Sequence, residues 1–229
     1  FFTLISRILG YFRDVLIAIY LGAGPIADVF FVAFRIPNTF RRLFSEGTFN
    51  AAFVPSYSSE LVLGKERAQK FANKIFNLLL VGLLLIVLVI EIFMPSFVYI
   101  IAPGFSDNSD KFELTISLTR ITFPFLLFVS LSSFFSAILN SHNKFAVAAA
   151  APIVLNIFLI LILIFQSYLN DDLVIYLSYA VTFAGIVQLI FLLFFLKKYY
   201  FPKIKLNFKI DHKVKLFFKK LLPKYIFIR

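Results

Sequence analysis

Cysteine and tryptophan are absent from the 229 residues, methionine occurs once and histidine twice. The lack of cysteine excludes disulfides and thiolate chemistry. His142 and His212 stand alone in basic turns, with no partner at ligand or catalytic spacing, and read as solvated loop residues. There is no glycine-rich phosphate loop, no nucleophile motif and no paired metal-ligand spacing. The sequence therefore offers no catalytic residue, metal site or cofactor. Charge is scarce as well. Only 15% of residues are Asp, Glu, Lys or Arg, against 61% hydrophobic and a mean hydropathy of +0.92.

No ordinary soluble domain has that balance. The ten-residue alternating segments of a membrane β-barrel are missing too. What remains is an all-α polytopic transmembrane bundle. Without tryptophan, interface anchoring falls to tyrosine, and Tyr20, Tyr99, Tyr168, Tyr199 and Tyr200 sit at span ends.

Six spans are expected. The first is Phe1 to Leu21, ended by Gly22-Ala23-Gly24-Pro25. The second, Ile26 to about Leu61, is on the order of 54 Å long at 1.5 Å per residue, against a hydrocarbon core of roughly 30 Å. It must bend or break, and Pro37, Gly47 and Pro55 offer the places. Gly64 to Lys70 reads as a polar loop. The remaining spans are Phe71–Ile101, Phe112–Leu139, Phe145–Phe165 (kinked at Pro152) and Leu173–Leu196, with acidic turns at Asp107–Glu113 and Asn170–Asp172.

The net charge of +11 is uneven, with ten of the fifteen lysines from Lys197 onward. Those lysines follow a span directly, so the positive-inside rule explains them better than nucleic-acid binding does. Basic turns after the even-numbered spans and acidic turns after the odd ones place the N-terminus in the cytoplasm. The expected organisation is a six-helix lobe over residues 1–200, a basic cytoplasmic linker over 201–212, and the start of a seventh helix over 213–229, with Asp211 as N-cap. Phe1 begins inside a span and Arg229 follows the onset of another apolar stretch. The chain is thus read as a piece of a longer protein.

The first two spans carry charges that a lipid-facing helix does not tolerate: Arg7, Arg13, Asp14, Asp28, Arg35, Arg41, Arg42 and Glu46. A charge at the bilayer centre costs roughly 2.5–3.5 kcal/mol, whereas each Leu, Ile, Phe or Val returns about 0.3–0.6. These side chains must face water or one another, and a wet cationic cavity implies an anionic cargo. Guanidinium suits phosphate, because its planar fork donates two parallel hydrogen bonds and stays charged. Asp14, Asp28 and Glu46 would orient or screen the arginines. Deeper in the bundle, Glu91 and Arg120 fall at matching depths on spans three and four and are expected to pair.

Ser6-Arg7-Ile8-Leu9-Gly10-Tyr11-Phe12-Arg13-Asp14, Gly22-Ala23-Gly24, Asp28 to Phe34, Arg35-Ile36-Pro37-Asn38, Arg41-Arg42-Leu43-Phe44 and Glu46-Gly47 resemble the start of the MurJ (MviN) family. Ala102-Pro103-Gly104-Phe105, Ile121-Thr122-Phe123-Pro124 and Ala137-Ile138-Leu139-Asn140 extend the resemblance along the chain. These are lipid II flippases of the MOP exporter superfamily, in bacterial cytoplasmic membranes. The resemblance implies two six-helix lobes around a cationic cavity, of which this chain is the first. It implies export of the undecaprenyl-pyrophosphate-linked cell-wall precursor by alternating access. It also makes Arg7, Arg13 and Arg41 the pyrophosphate ligands, and Asp28, Arg35, Asn38, Arg42, Glu46 and Asp14 cavity or coupling residues. Lipid II and membrane lipids are the implied partners. An exporter of another lipid-linked oligosaccharide would carry the same clamp. A drug exporter would show an acid-dominated cavity, and a non-transporting scaffold would confine its charges to loops.

Overall fold

A computed structural model describes residues 1–46, 48–168, 173–204, 214, 216 and 217, without the side chains of 36, 40–46 and 48. Among these residues there are nine α-helices and no strand: α1 (Phe2–Leu21), α2 (Pro25–Glu46), α3 (Thr48–Val62), α4 (Lys65–Ile92), α5 (Met94–Ile101), α6 (Ser109–Thr122), α7 (Phe125–Ser141), α8 (Phe145–Ile164) and α9 (Leu173–Leu196). The chain is an all-α polytopic membrane protein. By length and composition α4, the α6–α7 pair, α8 and α9 can each cross a membrane. α1 has the length but carries Arg7, Arg13 and Asp14, and α2 is more charged still.

The expected spans recur with three of the six divided. The second divides into α2 and α3, which meet at position 47, outside the described residues; Pro37 and Pro55 lie inside helices. Pro37 has no N–H to give the carbonyl of Ala33 four residues back. Thr122 supplies the missing donor, its Oγ1 donating to the Ala33 carbonyl at 2.8 Å. The third span divides at Phe93 ahead of Pro95, and the fourth at Phe123-Pro124. At the latter break Thr182 Oγ1 donates to the Ile121 carbonyl at 2.5 Å. Hydroxyls from neighbouring helices thus satisfy backbone at membrane depth, where no water replaces a lost partner.

Gly64 to Lys70 is not the loop the composition suggested. α4 starts at Lys65, directly after Gly64 at φ 132, a conformation that only glycine adopts easily. Lys70 and Glu66 form an i,i+4 pair at 2.7 Å, and the Lys70 ammonium holds the Glu66 carboxyl below its usual range. At 28 residues α4 is about 42 Å long, so its polar first turns extend beyond the apolar layer.

α7 runs through the middle. The α6–α7 window is 72% buried, against 22% for α4, whose outer half exposes Leu84, Leu85, Leu88, Val89 and Ile92. Where lipid is the solvent, close packing rather than hydrophobicity holds helices together. Gly185 on α9 shows how close. A Cβ there would sit 2.5 Å from Cδ2 of Phe125 on α7. A second core gathers Phe49, Phe53, Tyr57, Phe71 and Phe134 with Phe217 from beyond α9. The Phe217 ring stands edge-on to Phe49, Phe53 and Phe71 at centroid distances of 5.8–6.3 Å. The expected linker and seventh helix otherwise fall largely outside the described residues, as do Asp171, Asp172, Asp211 and His212.

Candidate anion site on α1 and α8

α1 packs mainly on α8, and Gly10 makes the approach close. A Cβ at Gly10 would already touch Nδ2 of Asn156 at 3.6 Å. Asn156, buried at mid-α8, bridges the two helices: its Nδ2 donates to the Ser6 carbonyl at 2.9 Å, and its Oδ1 accepts from Arg13 Nη1 at 2.9 Å. Arg13 Nε and Nη2 both donate to Asp14 Oδ1, at 2.9 and 2.6 Å. A guanidinium has five N–H donors. Three are engaged, which leaves two, one on each terminal nitrogen. Arg13 is therefore held from two sides and keeps a pair of donors for an oxyanion. Its side chain is 17% exposed and that of Asp14 is 63% exposed, so the ion pair opens to the outside and is not sealed.

Arg7, six residues earlier on α1, and Arg35 on α2 are both exposed, and neither guanidinium has a hydrogen-bond or ion-pair partner among the described residues. Asn38 is half-buried on α2. The side chains of Arg41, Arg42 and Glu46 lie outside the described residues. α2 is continuous through Pro37, so Asp28 and Arg35, seven residues apart, share a face as the spacing requires.

Asp28 does something other than orient the arginines. In the first turn of α2 its Oδ2 accepts from Lys111 Nζ of α6 at 3.0 Å, and the same ammonium lies 3.9 Å from the ring centroid of Phe105. Of the expected orienting acids, Asp14 reaches an arginine and Asp28 is drawn to a lysine. Lys111 and Asn156 are the two partners that the sequence reading missed. Asn156 left a signal, a lone amide in the apolar run of α8, whereas nothing local distinguished Lys111 from a loop lysine.

Two further expectations fail. Glu91 and Arg120 do not close to an ion pair: Arg120 is exposed and acts on the Glu91 carboxylate through its charge alone, and Glu91 Oε1 is buried without a hydrogen-bond partner among the described residues. His142 is not a solvated loop residue. It is half-buried, 3.2 Å from the Tyr57 hydroxyl and stacked on Tyr199 at 4.6 Å. Burial first, and Lys65 second, hold its pKa below the ordinary histidine value. Beside it Tyr200 donates to Asn73 Oδ1 at 2.6 Å, and Asn77 Nδ2 donates to the Lys203 carbonyl at 3.0 Å. The segment after α9 is fastened to α4 in this way.

A cavity of about 400 Å³ has no arginine in its wall among the described residues. Among the described arginines of the first two spans, Arg7 and Arg35 are exposed and Arg13 is half-buried, and none of them lines this cavity.

The family model described as "Lipid II flippase MurJ" matches residues 17–228. A Rhizobium tropici protein described as a probable lipid II flippase MurJ is 47% identical over 192 residues, covering 82% of this chain and 36% of that protein. The lipid II flippase MurJ of Burkholderia cenocepacia is 36% identical over 198 residues, covering 86% and 38%. A solved structure of a lipid II flippase MurJ in an inward closed conformation superposes with a TM-score of 0.73 at 30% identity, over 96% of this chain and 46% of that one. The chain thus spans less than half the length of each. On the family match over most of its length, the level of identity and the shared fold, this chain belongs to the MurJ lipid II flippase family.

Proposed function

We propose that the chain forms the cargo-gripping half of a transporter that carries lipid II, an undecaprenyl-pyrophosphate-linked precursor, from the cytoplasmic to the outer leaflet of a bacterial cytoplasmic membrane. The single observation that carries this reading is Arg13. A guanidinium in a membrane helix is held by a carboxylate and a buried amide, and still has one free N–H on each terminal nitrogen. That is the donor pair a phosphate oxyanion takes. Arg7, unpaired and exposed two turns away, supplies a second cation, and Arg41 completes the clamp. A diphosphate carries more charge than one guanidinium neutralises, so more than one is needed.

Residues 1–200 act as one lobe with the N-terminus in the cytoplasm. The basic segment from residue 201 lies on the cytoplasmic side, and residues 213–229 begin a seventh helix. Rocking of this lobe against a partner lobe exposes the arginine face to each side in turn. Arg35, Asn38, Arg42 and Glu46 border the path of the headgroup.

The test is growth of a flippase-depleted cell complemented by the protein as its cell makes it. Arg7→Ala, Arg13→Ala and Arg41→Ala are expected to lose complementation at equal expression. Normal growth of all three refutes the clamp.

A further inference from the structure

Nothing in the arginine face uses Asp28 or the Ala102-Pro103-Gly104-Phe105 turn, and Lys111 joins the two. Lys111 stands in the first turn of α6, where its N–H donates to the capping Asn108 Oδ1 at 3.0 Å. Its ammonium donates to Asp28 Oδ2 at 3.0 Å and lies 3.9 Å from the Phe105 ring centroid. An ammonium set over a ring and against a carboxylate is held from two sides. The Lys111 side chain is 21% exposed and that of Asp28 is 60% exposed. The lysine is thus the covered member, built into α6 and its leading turn, and the acid reaches it from α2.

That end of α2 has little other support. The chain enters it through Gly22-Ala23-Gly24, with open space where a Cβ would stand at Gly22 and Gly24. Between α2 and α6 lies a gap of about 230 Å³, with Ile26 and Val29 on one side and Asn108 and Leu114 on the other. A void offers its lining no contacts. Among the described residues no other side-chain hydrogen bond ties this turn of α2 to α6. Close packing begins one turn deeper, where buried Phe30 stacks on Phe34 and Phe34 meets Phe125 of α7. Arg35 follows Asp28 on the same face of α2, so a tilt of the first turn moves the arginine face with it.

We infer that Lys111 is a positioning residue of the transporter. With Phe105 it clasps Asp28 and holds the first turn of α2 on α6. Asp28 is the counter-ion of that clasp, not a ligand of the cargo or of a coupling ion. The consequence for transport rests on the reading under Proposed function, whereas the clasp itself can be measured without cargo.

The clasp is read on the purified protein as its cell makes it. Val29 is 1% exposed and borders the gap, and the chain has no thiol of its own. Val29→Cys is expected to react slowly with a soluble thiol reagent, and about threefold or more faster once Lys111→Met removes the charge, while Lys111→Arg keeps it slow. A rate that Lys111→Met leaves unchanged overturns the clasp. Transport is read as the rate at which lipid II reaches the outer leaflet in flippase-depleted cells making each variant at equal level. Lys111→Met and Asp28→Asn are each expected to slow it by about threefold or more, and the two together no further than either alone. The charge swap, Asp28→Lys with Lys111→Asp, is expected to recover part of the rate. Wild-type transport by Lys111→Met, additive losses in the double variant, or a swap that recovers nothing overturns the positioning role. Arg13→Ala in the same cells reads the cargo premise separately: if it transports as the wild type does, that premise fails, and the Val29→Cys rates still decide the clasp.

Discussion

At the scale of the residue, Asn156 matters more than its chemistry advertises. The two ends of its amide tie the α1 backbone at Ser6 to the Arg13 guanidinium. Asp14, adjacent in sequence, holds the other edge. Without the amide, Arg13 keeps its charge and loses its direction. A hydrogen bond to a charged group contributes roughly 1.5–3 kcal/mol. Asn156→Ala is accordingly expected to lower diphosphate-lipid affinity by about tenfold or more at unchanged expression, and Asn156→Gln to restore part of it. Binding by Asn156→Ala equal to wild type removes the residue from the site.

His142 belongs to the same scale. Folded, it is held neutral by burial and by Lys65, and it packs between Tyr57 and Tyr199. Its folded pKa lies below the unfolded value of about 6.5. As pH falls through that value the unfolded chain takes up a proton that the folded chain resists, so stability declines on acidification and is complete above it. Melting temperature is expected to fall as pH drops below about 6.5 in the wild type, and His142→Gln is expected to flatten that slope. An unchanged slope assigns the loss to other groups.

At the scale of the element, the helices were legible in the sequence because length and apolar runs fix them. The breaks were less so. Proline marks where an N–H is missing, but whether the helix parts depends on what satisfies the carbonyl left behind. At Pro37 a hydroxyl from α6 satisfies it and the helix continues, a fact held in Thr122, far along the chain. The charges of α1 and α2 could be read as exposed or paired, since no other arrangement is affordable in lipid. Their partners could not, because Asn156 and Lys111 come from helices whose packing no local pattern states. The same limit explains why Glu91 and Arg120 interact by charge but stop short of ion-pair contact. Equal depth is necessary for contact, but the facing of two helices is set by packing. Phe125 and Gly185 show that packing at its tightest. Gly185→Ala is expected to cost about 1–3 kcal/mol by overpacking. It should appear as a lower melting temperature, and Phe125→Leu in the same chain should recover part of it. A Gly185→Ala chain as stable as wild type contradicts so close an approach of α7 and α9.

At the scale of the whole molecule, the arrangement separates two tasks. Phenylalanine and small residues pack α7 closely against α9, while α1 and α2 carry the exposed Arg7 and Arg35 and the half-buried Arg13. The aromatic cluster around Phe53 and Tyr57, joined by Phe217 from beyond α9, fastens the following segment to the same rigid body. Such packing suits the rocking motion proposed above, in which the helices move as one body.

Everything at this scale depends on the arginine face of α1 being wet and meeting a diphosphate. The chain has no cysteine, so one can be placed at will. Tyr11 is exposed and shares the face of Arg7 and Asp14, at i, i+4 and i+7, whereas Leu88 is exposed on the apolar flank of α4. The deciding measurement is the rate at which a membrane-impermeant thiol reagent labels Tyr11→Cys and Leu88→Cys in native membranes, with and without added polyprenyl diphosphate. The account predicts that Tyr11→Cys is labelled and that the lipid slows it, while Leu88→Cys stays unlabelled. If Tyr11→Cys is as inert as Leu88→Cys, or is labelled at a rate the diphosphate does not change, the account is contradicted.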